Sequence, residues 1–188
     1  MRLFALAALL ASASAAAAPA RILLTDVTVI DGTGAAPRPH SDVLIDGARI
    51  AAIGATGSLH ASDTEVVPLP GRFVVPGFID LHAHVMLHPW DERGDQALRR
   101  RGGARARRRA RAGGLSRGLL LHDAGLPPLE VLRAATANAA RALGRAQQFG
   151  TIAPDMRADI VVLTKDPVAD IRNTRSIARV YRGGVPVR

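Results

Sequence analysis

Between Arg21 and Gly71 the apolar residues fall in short runs divided by turn residues, with no helical period. Ile22–Ile30 is rich in Val, Ile, Leu and Thr and stops at Asp31-Gly32, which predicts a first strand. Asp42–Ile45 and Arg49–Ile53 predict a second and a third, and the Asp46-Gly47 between them predicts a hairpin turn. Glu65–Leu69 and Phe73–Val75 predict two more. Past Pro76-Gly77, the stretch Ile79–Met86 predicts a strand of a different kind, apolar except for Asp80, His82 and His84. The pattern then stops and resumes near Leu119. Pro128 suits the first turn of a helix. From there Leu129, Leu132, Ala135 and Ala139 recur at helical spacing, with Val131, Ala134 and Leu143 flanking the stripe and Gly144 as its stop. Ile160–Leu163 is an unbroken apolar run, expected as a buried strand. Ile177–Tyr181 and Val185–Val187 flank Gly183-Gly184 and predict a terminal hairpin.

Composition changes this picture at two places. Residues 1–20 open with the basic Arg2, continue with apolar Leu3–Leu10, and end in small residues through Ala18-Pro19-Ala20. That order predicts a secretory signal peptide, its apolar part shorter than the roughly 20 residues a membrane span needs. A secreted or periplasmic protein is expected, without a membrane partner after cleavage. The second place is Arg99–Arg117, with nine arginines and no acid. Setting them aside leaves 16 basic residues against 16 acidic ones, so one segment carries the whole net charge of +9. From Arg99 to Gly114 only Arg, Ala and Gly occur, a composition that offers no apolar face and is expected to be disordered or weakly helical. All three residues have codons of G and C alone, as expected if the segment is read out of frame around an internal deletion. Resequencing the locus tests that reading. The segment holds no aromatic residue to stack on bases, so no specific nucleic-acid partner is expected.

The chain has no cysteine, which excludes disulfides and thiolate-bound zinc. Any metal must sit on His, Asp or Glu. Residues two apart on a strand share a face, so His82 and His84 present two imidazoles together, with Asp80 beside them. Neutral imidazoles on a rigid strand suit a divalent ion such as zinc. Taken alone, a His-x-His pair is more often a surface feature.

The flanking residues add a resemblance. Val75-Pro76-Gly77-Phe78-Ile79-Asp80-Leu81-His82-Ala83-His84 closely resembles the Pro-Gly-x-x-Asp-x-His-x-His signature of the amidohydrolase superfamily. Ala124-Gly125-Leu126, Ala134-Ala135-Thr136 and Asn138–Gly144 resemble that family's last barrel helices. Gly150–Pro154, Ala158–Leu163, Asp166-Pro167 and Val180–Gly184 resemble its return to a β-sandwich. The resemblance implies an α/β protein: a composite β-sandwich built from both chain ends, plus a remnant of a metal-dependent TIM-like (β/α)8 barrel. That remnant consists of the first strand and the last helices only. The implied layout begins with a signal peptide (1–20), an N-terminal sandwich segment (21–75) and the first barrel strand (76–97). It continues with the arginine-rich segment (98–117), the last barrel helices (118–155) and the C-terminal sandwich segment (156–188). The resemblance further implies a divalent metal, zinc, on His82 and His84 with Asp80 supporting, and hydrolysis of small amide, cyclic amide or dipeptide substrates. Met86–Arg93 looks most like secreted imidazolonepropionase- and prolidase-like members.

The chain departs from the family in its middle. A TIM barrel takes about 250 residues, whereas about 35 separate His84 from the last helices. The family's bridging carboxylated lysine, later histidines and last-strand aspartate have no counterparts. Lys165, the sole lysine, matches a sandwich position, His40 and His60 fall in the sandwich segment, and His88 and His122 match no ligand position. Asp123 is expected on a helix. Two histidines and one aspartate leave a metal short of ligands and of a general base. Three readings remain: a hydrolase whose site is incomplete in this chain, a non-catalytic β-sandwich remnant prone to self-association, and an arginine-based anion binder.

Overall fold

The computed structural model describes residues 21–80, 121–123 and 125–187. The expected signal peptide, His82 and His84, and the arginine-rich segment lie outside the described residues.

The strands are β1 (Arg21–Val29), β2 (Arg38–Asp46), β3 (Arg49–Ala55), β4 (Thr64–Pro76), β5 (Ile160–Leu163), β6 (Ile177–Arg182) and β7 (Val185–Pro186). They form one mixed sheet in the order β3-β2-β1-β4-β5-β6-β7. β1 runs parallel to β4, and every other neighbouring pair is antiparallel. The Asp46-Gly47 hairpin and the Gly183-Gly184 hairpin both form as the turn residues predict.

The two chain ends meet at one seam. Phe73, Val74, Val75 and Pro76 of β4 pair with Leu163, Val162, Val161 and Ile160 of β5. All four residues of β5 are buried. Alternation sends them to opposite faces: Ile160 and Val162 join one core with Leu24, Val29, Val43, Ile45, Val74 and Tyr181. Val161 and Leu163 join a second core with Ile30, Val75, Val131, Leu132 and Ile171. A strand covered on both sides reads as a continuous apolar run, which is why Ile160–Leu163 shows no alternation.

One expectation is corrected. Glu65–Leu69 and Phe73–Val75 are not separate strands but parts of the 13-residue β4. Thr25 pairs with Pro68 and Val27 with Arg72, so β4 carries extra residues at this point and bulges. Pro70 and Gly71 mark that bulge and not a turn between strands. The described strands form a single continuous sheet, and residues 155–158 show how it bends over its core. Ile50 N–H donates to the Met156 carbonyl and Asp155 N–H to the Ile50 carbonyl, both at 2.9 Å. Ala158 N–H donates to the Ala48 carbonyl at 2.8 Å and Gly184 N–H to the Ala158 carbonyl at 3.0 Å. The β2–β3 turn is thereby tied to the β6–β7 turn, although these strands lie at opposite ends of the sheet order.

The helix starts at Pro128 as expected, but its interior departs from the prediction. α1 (Pro128–Arg133) passes into a π-turn (Ala134–Asn138) and then into α2 (Ala139–Ala142). A π-turn holds one residue more than an α-turn and rotates the residues after it about the helix axis. The buried face is therefore Val131, Leu132, Thr136, Ala139 and Ala140, whereas Leu129 and Ala135 are only half-buried. Leu143 is 51% exposed. The helix ends at Gly144 through paired bonds from Gly144 N–H to the Arg141 carbonyl and Arg145 N–H to the Ala140 carbonyl, the Schellman arrangement. Among the described residues no helix is long and apolar enough to cross a membrane.

Candidate functional site

The structure positions the segment that leads into the histidine motif up to Asp80. β4 ends at Pro76, beside the seam with β5. Gly77 N–H then donates to the Asp159 carbonyl at 2.8 Å, which fixes the segment to the C-terminal half of the chain. Phe78 packs against the second core. Ile79 N–H donates to the Ala135 carbonyl at 2.9 Å, which fixes it to the helix. Asp80 is half-buried. Its chain neighbours His82 and His84, the expected metal ligands, lie outside the described residues.

The helix meets this segment with its π-turn. Thr136 is fully buried there and donates from Oγ1 to the Leu132 carbonyl at 2.7 Å, with a long second contact of 3.5 Å to the Gly32 carbonyl. Two glycines let the backbone come this close. A Cβ on Gly32 would lie 2.8 Å from both Pro76 Cγ and Thr136 Oγ1. A Cβ on Gly150 would lie 2.6 Å from Ala140 Cβ and 3.0 Å from the Thr136 carbonyl oxygen. Ile152 N–H completes the junction by donating to the Asp31 carbonyl at 3.0 Å.

The remaining histidines and acids do not gather here. His40 on β2 pairs through Nδ1 with Asp26 Oδ1 at 3.0 Å on β1. His122 Nδ1 sits 3.0 Å from the Leu126 carbonyl. Asp123 is helical, as expected, and lies 3.8 Å from Arg172. Lys165 is exposed on the turn after β5. Among the described residues no three His, Asp or Glu side chains come together in a way that could hold a metal ion. The described donors thus do not by themselves fit the implied zinc.

A cleft of about 460 Å³ lies elsewhere, lined by Thr33, Arg133, Asn138, Arg141, Phe149 and Thr151 among others. Both guanidinium groups already have partners: Arg133 reaches Glu130 at 3.2 Å and Arg141 reaches Asn138 at 3.4 Å. Asp80 does not line it.

Thr136 is the residue that sequence reasoning missed. A polar, β-branched side chain in the run Ala134-Ala135-Thr136-Ala137 is an available signal, but a strict 3.6-residue period points Ala135 inward and passes over its neighbour.

Residues 108–187 match the family model described as the amidohydrolase family. This C-terminal stretch is similar to the amidohydrolase family. The match begins at Arg108, inside the arginine-rich segment and ahead of the boundary expected at residue 118. A dihydroorotase of Thermoanaerobacter sp. (strain X514) is 36% identical over 73 residues, 39% of this chain and 16% of its own length. An N-acyl-D-aspartate deacylase of Alcaligenes xylosoxydans xylosoxydans is 36% identical over 78 residues, 39% of this chain and 15% of its own. These amidohydrolase matches therefore span about a sixth of the curated relatives. An amidohydrolase structure from Thermotoga maritima MSB8 superposes with a TM-score of 0.65 at 13% identity, covering 89% of this chain and 99% of that one, which shows a shared fold.

Proposed function

We propose that this chain carries the framework of a metal-dependent hydrolase of C–N bonds, of the amidohydrolase type, without a complete catalytic site. The observation that carries the reading is the placement of residues 77–80. A sheet drawn from both chain ends and a helix from the C-terminal half together hold the segment that runs into His82 and His84. Such a framework supports a metal strand in the family. In full-length members a divalent ion, zinc by the chemistry of imidazole ligands, lowers the pKa of a bound water and polarises the scissile carbonyl. Here His82, His84 and the supporting Asp80 are the donors that the sequence offers, and the described His40, His122 and Asp123 are engaged elsewhere.

The names dihydroorotase and N-acyl-D-aspartate deacylase support small amides, cyclic or linear, as the substrate class of the intact family members. Dipeptides join that class through the prolidase-like character of Met86–Arg93. The basic-then-apolar residues 1–20 support export to the periplasm or beyond.

The test is turnover of a panel of N-acyl amino acids, cyclic amides and dipeptides by the purified chain in zinc or manganese. No turnover above background is expected. Turnover abolished both by a chelator and by His82→Ala would overturn the proposal of incompleteness.

A second reading, a non-catalytic β-domain, is favoured by one observation. Among the described residues, the seven strands bury two apolar cores with residues from the two chain ends and the helix. Cooperative thermal unfolding of a soluble monomer is its expected signature; a broad, non-cooperative transition would count against it.

A further inference from the structure

We propose that Thr136 is a positioning residue whose hydroxyl seats the segment entering the histidine motif on the helix. Its work is to hold the π-turn, and the π-turn's work is to aim one carbonyl at Ile79.

A helical carbonyl ordinarily takes the N–H four residues on, and in a π-turn the N–H comes from five residues on. The bonding around such a turn is thereby rearranged. Two further contacts lie at this turn. The Leu132 carbonyl takes the Thr136 hydroxyl at 2.7 Å, and the Ala135 carbonyl takes the Ile79 N–H at 2.9 Å. Thr136 is fully buried, so its hydroxyl has no water to turn to and the bond to Leu132 is not optional. The γ-methyl group and the hydroxyl cannot exchange places without leaving a buried donor unpaired. Ala140 Cβ and the Thr136 carbonyl face Gly150, and Thr136 Oγ1 faces Gly32, so the widened turn is held from two further sides. With the turn fixed, the Ala135 carbonyl has a single aim, and Ile79 is the N–H it meets.

The anchors on this short segment are of two independent kinds. Gly77 is held by the Asp159 carbonyl, next to β5 and away from the helix. Among the described residues, Ile79 is held through the π-turn. Loss of the Thr136 hydroxyl should therefore release Ile79 and leave Gly77 in place. The functional weight of this seat rests on the reading of Asp80, His82 and His84 given above. The seat itself is measured without metal or substrate, so the two fail separately.

The experiment is residue-resolved amide hydrogen exchange by NMR on the full chain, its Thr136→Val variant and its Thr136→Ser variant. Valine keeps the shape and removes the hydroxyl; serine keeps the hydroxyl. The expected result is exchange at Ile79 faster by about ten-fold in Thr136→Val, the equivalent of one net hydrogen bond. Gly77 should be unchanged, and both amides should be as in the parent in Thr136→Ser. Unchanged exchange at Ile79 in Thr136→Val overturns the proposal, as does an equal rise at Gly77 and Ile79 in a folded variant. If Thr136→Val does not fold, a through-hydrogen-bond scalar coupling between Ile79 N and the Ala135 carbonyl carbon decides. It should be present in the parent and in Thr136→Ser, and its absence from either overturns the proposal.

Discussion

Gly150→Ala should be among the most damaging single-methyl additions to this chain, and its cost can be divided into two parts. Gly150 has φ +100°, outside the range that alanine adopts without strain. Holding an L-residue in left-handed backbone costs roughly 1–2 kcal/mol. Its new Cβ would also stand 2.6 Å from Ala140 Cβ, about 1 Å inside normal carbon–carbon contact. The second neighbour, the Thr136 carbonyl oxygen, is backbone at 3.0 Å and cannot swing aside. Overpacking of this kind typically costs about 1–3 kcal/mol. The sum is about 2–5 kcal/mol, a large part of the stability of an ordinary domain. Gly144→Ala is the matched control. Gly144 has φ +67° and nothing within 4 Å of where its Cβ would stand, so it carries the strain of about 1 kcal/mol without the overlap. Urea unfolding of the parent and both variants, followed by far-UV circular dichroism, measures the difference. Equal losses in the two variants would refute the tight junction between the helix and the segment returning to the sheet.

The cores and their polar ties yield further expected outcomes. Asp42 is buried and accepts from Asp26 N–H at 3.0 Å and from Gly57 N–H at 2.8 Å. Asp42→Ala strips both donors of their acceptor and should lower stability by about 2–3 kcal/mol in urea unfolding. Asp42→Asn, which keeps one acceptor oxygen, should lose less. Leu24→Ala empties a fully buried position of the first core and should cost about 2–5 kcal/mol. Val66→Ala, on the same sheet but 58% exposed, should stay within about 0.5 kcal/mol of the parent. Comparable losses for Leu24→Ala and Val66→Ala would show that the inner face has been assigned wrongly.

The sheet was legible where strand signals are local. Asp46-Gly47 and Gly183-Gly184 each mark a hairpin by turn chemistry, and Ile160–Leu163 declares a strand covered on both faces. Two features were hidden because they depend on partners distant in the chain. Glu65–Leu69 and Phe73–Val75 read as two strands until β1 is laid beside them, and then Pro70-Gly71 is a bulge within β4. The pairing of β4 with β5 joins residues more than eighty positions apart, which no local period encodes. The helix illustrates a third limit. Its start at Pro128 and stop at Gly144 carry local signals, but one extra residue in its middle turns the buried face onto Thr136 and Ala140. Of the candidate site, the Pro76-Gly77 entry is placed by the structure, while His82 and His84 stand as the sequence motif presents them. What the sequence could not show is the seat: a carbonyl of the helix and a carbonyl of Asp159 holding Ile79 and Gly77.

Whether that seat serves a working metal centre comes down to the ligands beyond His82, His84 and Asp80. Elemental analysis of the purified chain after zinc loading and exhaustive dialysis measures it directly, with His82→Ala alongside. An incomplete site predicts well under one zinc per chain, and the same amount in the parent and in His82→Ala. One or two tightly held ions per chain, lost in His82→Ala, would contradict the account and show that this chain completes its metal centre.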